Sequence, residues 1–325
     1  MDQINDSNPV SWPTPAPQQP LRRFRLRTVL VPLLFLFLHF IVINIVATIY
    51  VVIYIVVTSG GSSADMLAIL SDSARLNALT VEQYPIITVF YTLALIPVYL
   101  VYLSLSRRRD ARSLLLERTR LADVLPALGM IIGAVGVTNI WFNVLLWLQD
   151  RVPFVQTQMD DYMKTAGAFT ADNGYLWLIL GISILAPIAE ELVFRGIIQG
   201  ELRKAMPEWA AIVIQAVVFA LFHMQPVQIT YVLLPGLLLG LAYYWSRSLW
   251  VPILMHITFN FLGSVLPALV GADETLNSIL FISECVFIAI GVLAGIFFAL
   301  NRRRPAAAAT VPQSAILPAD RADLI

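Results

Sequence analysis

Cysteine is nearly missing from this chain of 325 residues, and charge is scarce. The single Cys285 excludes an internal disulfide, and its apolar surroundings mark it as a packed thiol. Only 13% of residues are charged against 58% hydrophobic, a balance that leaves a soluble domain too little polar surface to cover itself. The class is therefore an all-α polytopic membrane protein. Histidine is also rare, with three residues in all. There is no His-Glu-x-x-His zincin motif and no Gly-x-Ser-x-Gly nucleophile motif. No internal repeat of the kind that builds inverted-repeat transporters is visible. The first apolar run, 28–57, is far longer than a signal-peptide core and has no small-residue cleavage site close behind it, so it reads as a retained span.

What is present is length and apolarity in blocks. Residues 1–20, rich in Pro, Gln, Asn and Ser, and residues 305–325, a low-complexity Ala/Pro stretch, read as disordered tails flanking a transmembrane domain at 21–304. Eight segments approach the length needed to cross about 30 Å of hydrocarbon, at 29–57, 84–105, 126–148, 175–201, 209–224, 228–246, 249–269 and 277–300. The fifth is the shortest. Alternating them gathers 17 of the 21 basic residues on one side, including Arg22 to Arg27, Arg107 to Arg120, Arg203, Lys204, Arg247 and Arg302 to Arg304. Arg75, Arg151 and Lys164 fall on the other, and Arg195 lies within a span. By the positive-inside rule both termini are cytoplasmic. Residues 110–124 read as an amphipathic helix on the inner interface. The loop 149–174, with Asp160, Asp161 and Asp172, reads either as a gate or as a solvated loop.

Against that background three ionisable residues in one span stand out: Glu190, Glu191 and Arg195. Each costs about 2.5–3.5 kcal/mol at a bilayer centre on insertion scales, so they must face polar surroundings or partner one another. Glu191 and Arg195 are four apart, the spacing of a helical ion pair. Glu190 then points about 100° away with no cation of its own. A carboxylate so placed is a stronger base than an exposed one, which suits activation of water near neutral pH. Pro187 frees a carbonyl beside it. The bland alternative is a structural ion pair plus one protonated glutamate.

Two histidines sharpen the choice. His223 closes Phe219-Ala-Leu-Phe-His223, and His256 lies four residues before Asn260, which puts imidazole and carboxamide on one helix face. Such a pair can donate to a developing oxyanion. At about 1.5 Å per residue from the inner helix ends, Glu190 and His223 lie roughly 20 Å deep, Asn260 roughly 18 Å and His256 roughly 12 Å. These are overlapping layers. His39 has no polar companion in sequence and reads as a packing residue.

Glu-Glu-x-x-x-Arg at 190–195, Phe-x-x-x-His at 219–223 and His-x-x-x-Asn at 256–260, in that order on successive spans, resemble the CAAX protease and bacteriocin-processing family, which includes the type II CAAX prenyl endopeptidases. The resemblance covers roughly 175–265 and implies an eight-helix intramembrane endopeptidase whose catalytic core is that region, enclosing a polar cavity. It implies that Glu190 activates water with help from His223, that His256 and Asn260 stabilise the oxyanion, and that Glu191 and Arg195 hold the constellation. The implied partners are the bilayer and a membrane-embedded or lipidated peptide or protein; the arginine-rich, Ala/Pro-tailed chain itself reads as a bacterial plasma-membrane protein. No cofactor is firmly implied. A zinc-dependent version, with Glu190, His223 and His256 as ligands, stays open at this stage. So do a transporter using the same charges as a proton relay and a non-proteolytic immunity protein.

Overall fold

The computed structural model describes residues 23–110, 113–167, 174–271 and 273–303. The two expected tails lie outside the described residues. Among the described residues there are helices and no strand, only an isolated bridge between Leu116 and Ser248. The chain is an all-α polytopic membrane protein. Its helices are α1 (Arg27–Thr58), α2 (Ser63–Ser71), α3 (Ser73–Glu82), α4 (Tyr84–Arg109), α5 (Leu121–Gln149) and α6 (Pro153–Gly167). Then follow α7 (Tyr175–Leu202), α8 (Glu208–Phe222), α9 (Pro226–Ser246), α10 (Trp250–Val270) and α11 (Glu274–Leu300). Seven of these, α1, α4, α5, α7, α9, α10 and α11, are long and apolar enough to cross a membrane. The eighth expected span is α8, apolar but only 15 residues long.

Ion pairs at the helix ends show which ends share a face. Arg27 at the start of α1 bonds Glu201 at the end of α7, as do Lys204 and the Tyr102 hydroxyl of α4. Arg303 beyond α11 and Arg247 beyond α9 both pair with Glu117 before α5, and Arg303 also reaches Asp123. These ends form one arginine-rich face. At the opposite ends, Tyr50 of α1 meets Gln83 before α4, and Trp141 of α5 meets Thr230 of α9.

Two surface segments differ from expectation. Residues 113–120 form no amphipathic helix. Leu114 and Leu115 are buried, the Leu115 amide donates to the Tyr243 hydroxyl at 2.9 Å, and the Glu117 amide donates to the Arg247 carbonyl at 2.8 Å. Leucines here plug the bundle, so the extended strap gains more than a surface helix would. In the stretch 149–174, α6 docks Met159 against Leu145 and Val227 while Asp160 and Asp161 stay exposed. Asp172 lies outside the described residues.

Close approach of α5 and α11 depends on small residues. A Cβ on Gly136 would stand 2.3 Å from the Glu284 carbonyl oxygen. Where apolar faces have no hydrophobic drive to associate in lipid, such contact surfaces supply the packing energy. The same helices share a hydrogen bond from the Asn139 amide to the Glu284 carboxylate, an ionisable group inside a span that sequence reading passed over.

Candidate active site

Helix α7 is not α-helical throughout. Leu178–Leu185 and Leu192–Gln199 are π-helical, and the α-helical turn Ala186–Glu191 between them carries the glutamate pair. A third π stretch, Phe261–Val265, follows directly after Asn260 in α10. Such interruptions of the regular ladder recur at functional sites because they re-aim side chains.

Pro187 explains one polar contact. In the π register the Ala186 amide bonds the Gly181 carbonyl, so the next carbonyl, Ile182, would take its bond from residue 187. Proline has no N–H to give. The Asn260 side-chain amide donates to that carbonyl instead, at 2.9 Å, and ties α10 to α7. The freed carbonyl expected from Pro187 is thus satisfied by a motif residue. One amide hydrogen of Asn260 is committed, and the other is not drawn into this bond.

The centre of the cluster is His256, which is buried. Its Nδ1 lies 2.7 Å from Glu191 Oε1, and its Nε2 lies 3.6 Å from Glu190 Oε2. A carboxylate only accepts, so Nδ1 carries the hydrogen. Glu191 Oε1 also accepts from Arg195 at 2.7 Å, and the other guanidinium nitrogen donates to the Gly236 carbonyl at 3.1 Å. The ion pair expected from the four-residue spacing is therefore present and fully buried. Glu190 has a polar neighbour that its own helix does not supply: the imidazole of His256, from α10, faces it.

His223 caps the end of α8. Its Nδ1 donates to the Phe219 carbonyl at 2.9 Å, which leaves Nε2 as the unprotonated nitrogen of the neutral ring. The Phe219 ring lies edge-on between the imidazoles of His223 and His256, with centroids at 4.9 and 5.7 Å, and the Arg195 guanidinium covers it at 4.6 Å. His223 is within electrostatic range of both Glu190 and His256. Glu190, Glu191, Arg195, His223 and His256 thus lie in one cluster, and Asn260, one turn along α10 from His256, is tied to α7 through the Ile182 carbonyl. His39 is not companionless either. Its Nδ1 is 3.0 Å from the Tyr99 hydroxyl, and its ring packs against Tyr91 and Phe222.

Sequence reading missed Gln199 and Gln215, both fully buried below the cluster. They donate to the Gly240 and Gly236 carbonyls of α9 at 3.3 and 3.1 Å. Polar residues at i, i+4 and i+8 in a span, Glu191, Arg195 and Gln199, are the signal that could have found the first of them. Zinc does not fit the cluster. Among the described residues no three His, Cys, Asp or Glu side chains converge as a metal-ligand set. His256 already has both ring nitrogens turned to the two glutamates.

Comparison with known proteins falls on this same stretch. Residues 172–262 match the family model described as type II CAAX prenyl endopeptidase Rce1-like. The membrane-embedded CAAX protease MroQ of Staphylococcus aureus (strain USA300) is 35% identical over 88 residues, 25% of this chain and 36% of that protein. The putative membrane peptidase YdiL of Bacillus subtilis (strain 168) is 31% identical over 83 residues, 26% of this chain and 34% of that protein. The match thus spans about a third of the length of these curated relatives. No solved structure matches the chain. The matched segment holds all three motifs and every residue of the cluster, and over that stretch the chain is similar to the Rce1-like CAAX endopeptidases.

Proposed function

We propose that the chain is an intramembrane endopeptidase that hydrolyses a peptide bond of a membrane-associated or lipidated protein or peptide. The observation that carries this reading is His256 set between two carboxylates, 2.7 Å from Glu191 and 3.6 Å from Glu190. A merely structural ion pair needs Glu191 and Arg195 alone. Glu190 and His223, both at the partly open edge of the cluster, are the groups placed to meet water.

In this reading Glu190 takes a proton from water as the oxygen attacks the scissile carbonyl, with His223 Nε2 orienting that water, and then gives the proton to the leaving amine as the C–N bond breaks. Glu191 holds the His256 ring as a carboxylate holds the histidine of a hydrolytic triad. The oxyanion is met by the second amide hydrogen of Asn260 and by His256, whose Nε2 gains a hydrogen when the imidazole is protonated. Arg195 offsets the charge of Glu191 and locks it to α9. The polar space between these groups opens within the bilayer of the cell membrane, with both chain termini cytoplasmic.

The test is cleavage of prenylated and unmodified hydrophobic peptides by purified full-length protein in detergent. Glu190→Ala and His223→Ala are expected to abolish cleavage while the folded protein persists. Cleavage at the parent rate by either variant would remove that residue from the mechanism. A transporter using the same charges predicts instead potential-dependent flux in proteoliposomes, with no new peptide termini.

A further inference from the structure

The three site helices share one gradient. On α7, Glu190 is partly accessible, with 19% of its side chain exposed, whereas Glu191 and Arg195 are at 0% and Gln199, further along, is also sealed. On α10, Asn260 is partly accessible and His256, one turn earlier, is buried. On α8, His223 is partly accessible and Gln215, two turns earlier, is buried. In every case the buried member lies toward the arginine-rich face and the accessible member lies away from it. Below the glutamates, bonds from Arg195, Gln199 and Gln215 to the Gly236 and Gly240 carbonyls close the bundle like a floor.

A hydrolase needs a route for water and for an extended peptide, and neither passes a layer of fully buried side chains bonded to the α9 backbone. Charge placement then assigns the route a side. Among the described residues Arg23, Arg25, Arg107 to Arg109, Arg203, Lys204 and Arg247 belong to the closed face, and Arg75, Arg151 and Lys164 to the other. Basic residues close to span ends stay on the cytoplasmic side.

We propose that the site is served from the arginine-poor, extracytoplasmic side. Its substrate class, resting on the protease reading above, is then an exported or membrane-anchored peptide whose scissile bond lies in the outer half of the bilayer, rather than the C-terminus of a cytosolic protein.

The experiment is thiol labelling in a Cys285→Ser background of the full chain, with a membrane-impermeant maleimide on intact cells and on inverted vesicles. Met224→Cys, beside His223 and exposed, and Ser264→Cys, one turn outward of Asn260, report the route; Arg108→Cys reports the arginine-rich face. The first two are expected to label about tenfold faster in intact cells, and the third only in inverted vesicles, since thiol reactivity follows access. Faster labelling of Met224→Cys and Ser264→Cys in inverted vesicles, or labelling only after detergent, overturns the proposal. The labelling needs no catalysis, so it stands apart from the protease reading. A quenched hydrophobic peptide given to each preparation completes the test. Cleavage in intact cells supports the substrate class, cleavage confined to inverted vesicles overturns it, and outer labelling with cleavage on neither side overturns the protease reading while the access route stands.

Discussion

Glu191 and His256 come from helices far apart in sequence, and their side chains meet at 2.7 Å with no exposed surface on the glutamate. Because Arg195 reaches the same oxygen at 2.7 Å, one carboxylate oxygen joins the arginine of α7 to the histidine of α10. Removing either donor changes the other's environment, and several expectations come from that coupling.

Arg195→Met leaves Glu191 buried with only an imidazole for company. Breaking a buried pair from one side costs about 3–5 kcal/mol. The loss appears as a lower thermal midpoint in detergent. Arg195→Lys keeps the charge but cannot serve Glu191 and the Gly236 carbonyl together, so its midpoint falls between those of the parent and Arg195→Met.

Asn260 and Pro187 form a double-mutant cycle. Asn260→Ala leaves the Ile182 carbonyl without its donor and costs about 1–3 kcal/mol. Pro187→Ala restores a backbone N–H at the position that the π register assigns to that carbonyl. The double variant is expected to regain stability but not turnover, because the second amide hydrogen of Asn260 is still gone. Recovery of both would reduce Asn260 to a structural tie.

Gly136→Ala drives its Cβ into the Glu284 backbone, while the Cβ of Gly263→Ala meets nothing within 4 Å. The first is expected to destabilise by about 1–3 kcal/mol or more and the second by little. Equal effects on the thermal midpoint would mean that α5 and α11 do not pack as described.

At the arginine-rich face, partial burial pushes the Glu117 carboxyl up, but hydrogen bonds from Arg247 and Arg303 outweigh this and hold it below the ordinary value of 4.5. A lowered folded-state value means the contribution is present above the unfolded value and fades as pH falls through the folded one. The strap 113–120 should therefore loosen only in acid, by a modest amount, since Glu117 is 44% exposed. Hydrogen exchange at Leu115 and Glu117 between pH 6 and pH 3, with Glu117→Gln as a control that loses the dependence, measures it.

Much of the site was legible because helical spacing is strict. The Glu191–Arg195 pair follows from a separation of four, and the order of the motifs already placed three helices around one centre. Contacts between helices were not legible. Nothing in the sequence near Glu190 says that His256 will face it, or that Tyr99 will bond His39. The π stretches were invisible for a related reason: reading faces at 100° per residue presumes one register, and an extra residue per turn re-aims everything beyond it. The strap at 113–120 misled because leucines among charges look alike whether they dip into lipid or into protein.

The central claim is that Glu190 performs chemistry while Glu191 holds structure. Turnover of a cleavable hydrophobic peptide by Glu190→Gln, an isosteric change, tests it, with thermal midpoint measured on the same sample. The account predicts a loss of about 10²- to 10⁴-fold in kcat with the midpoint close to that of the parent. Turnover at the parent rate, or a loss matched by unfolding, would contradict it.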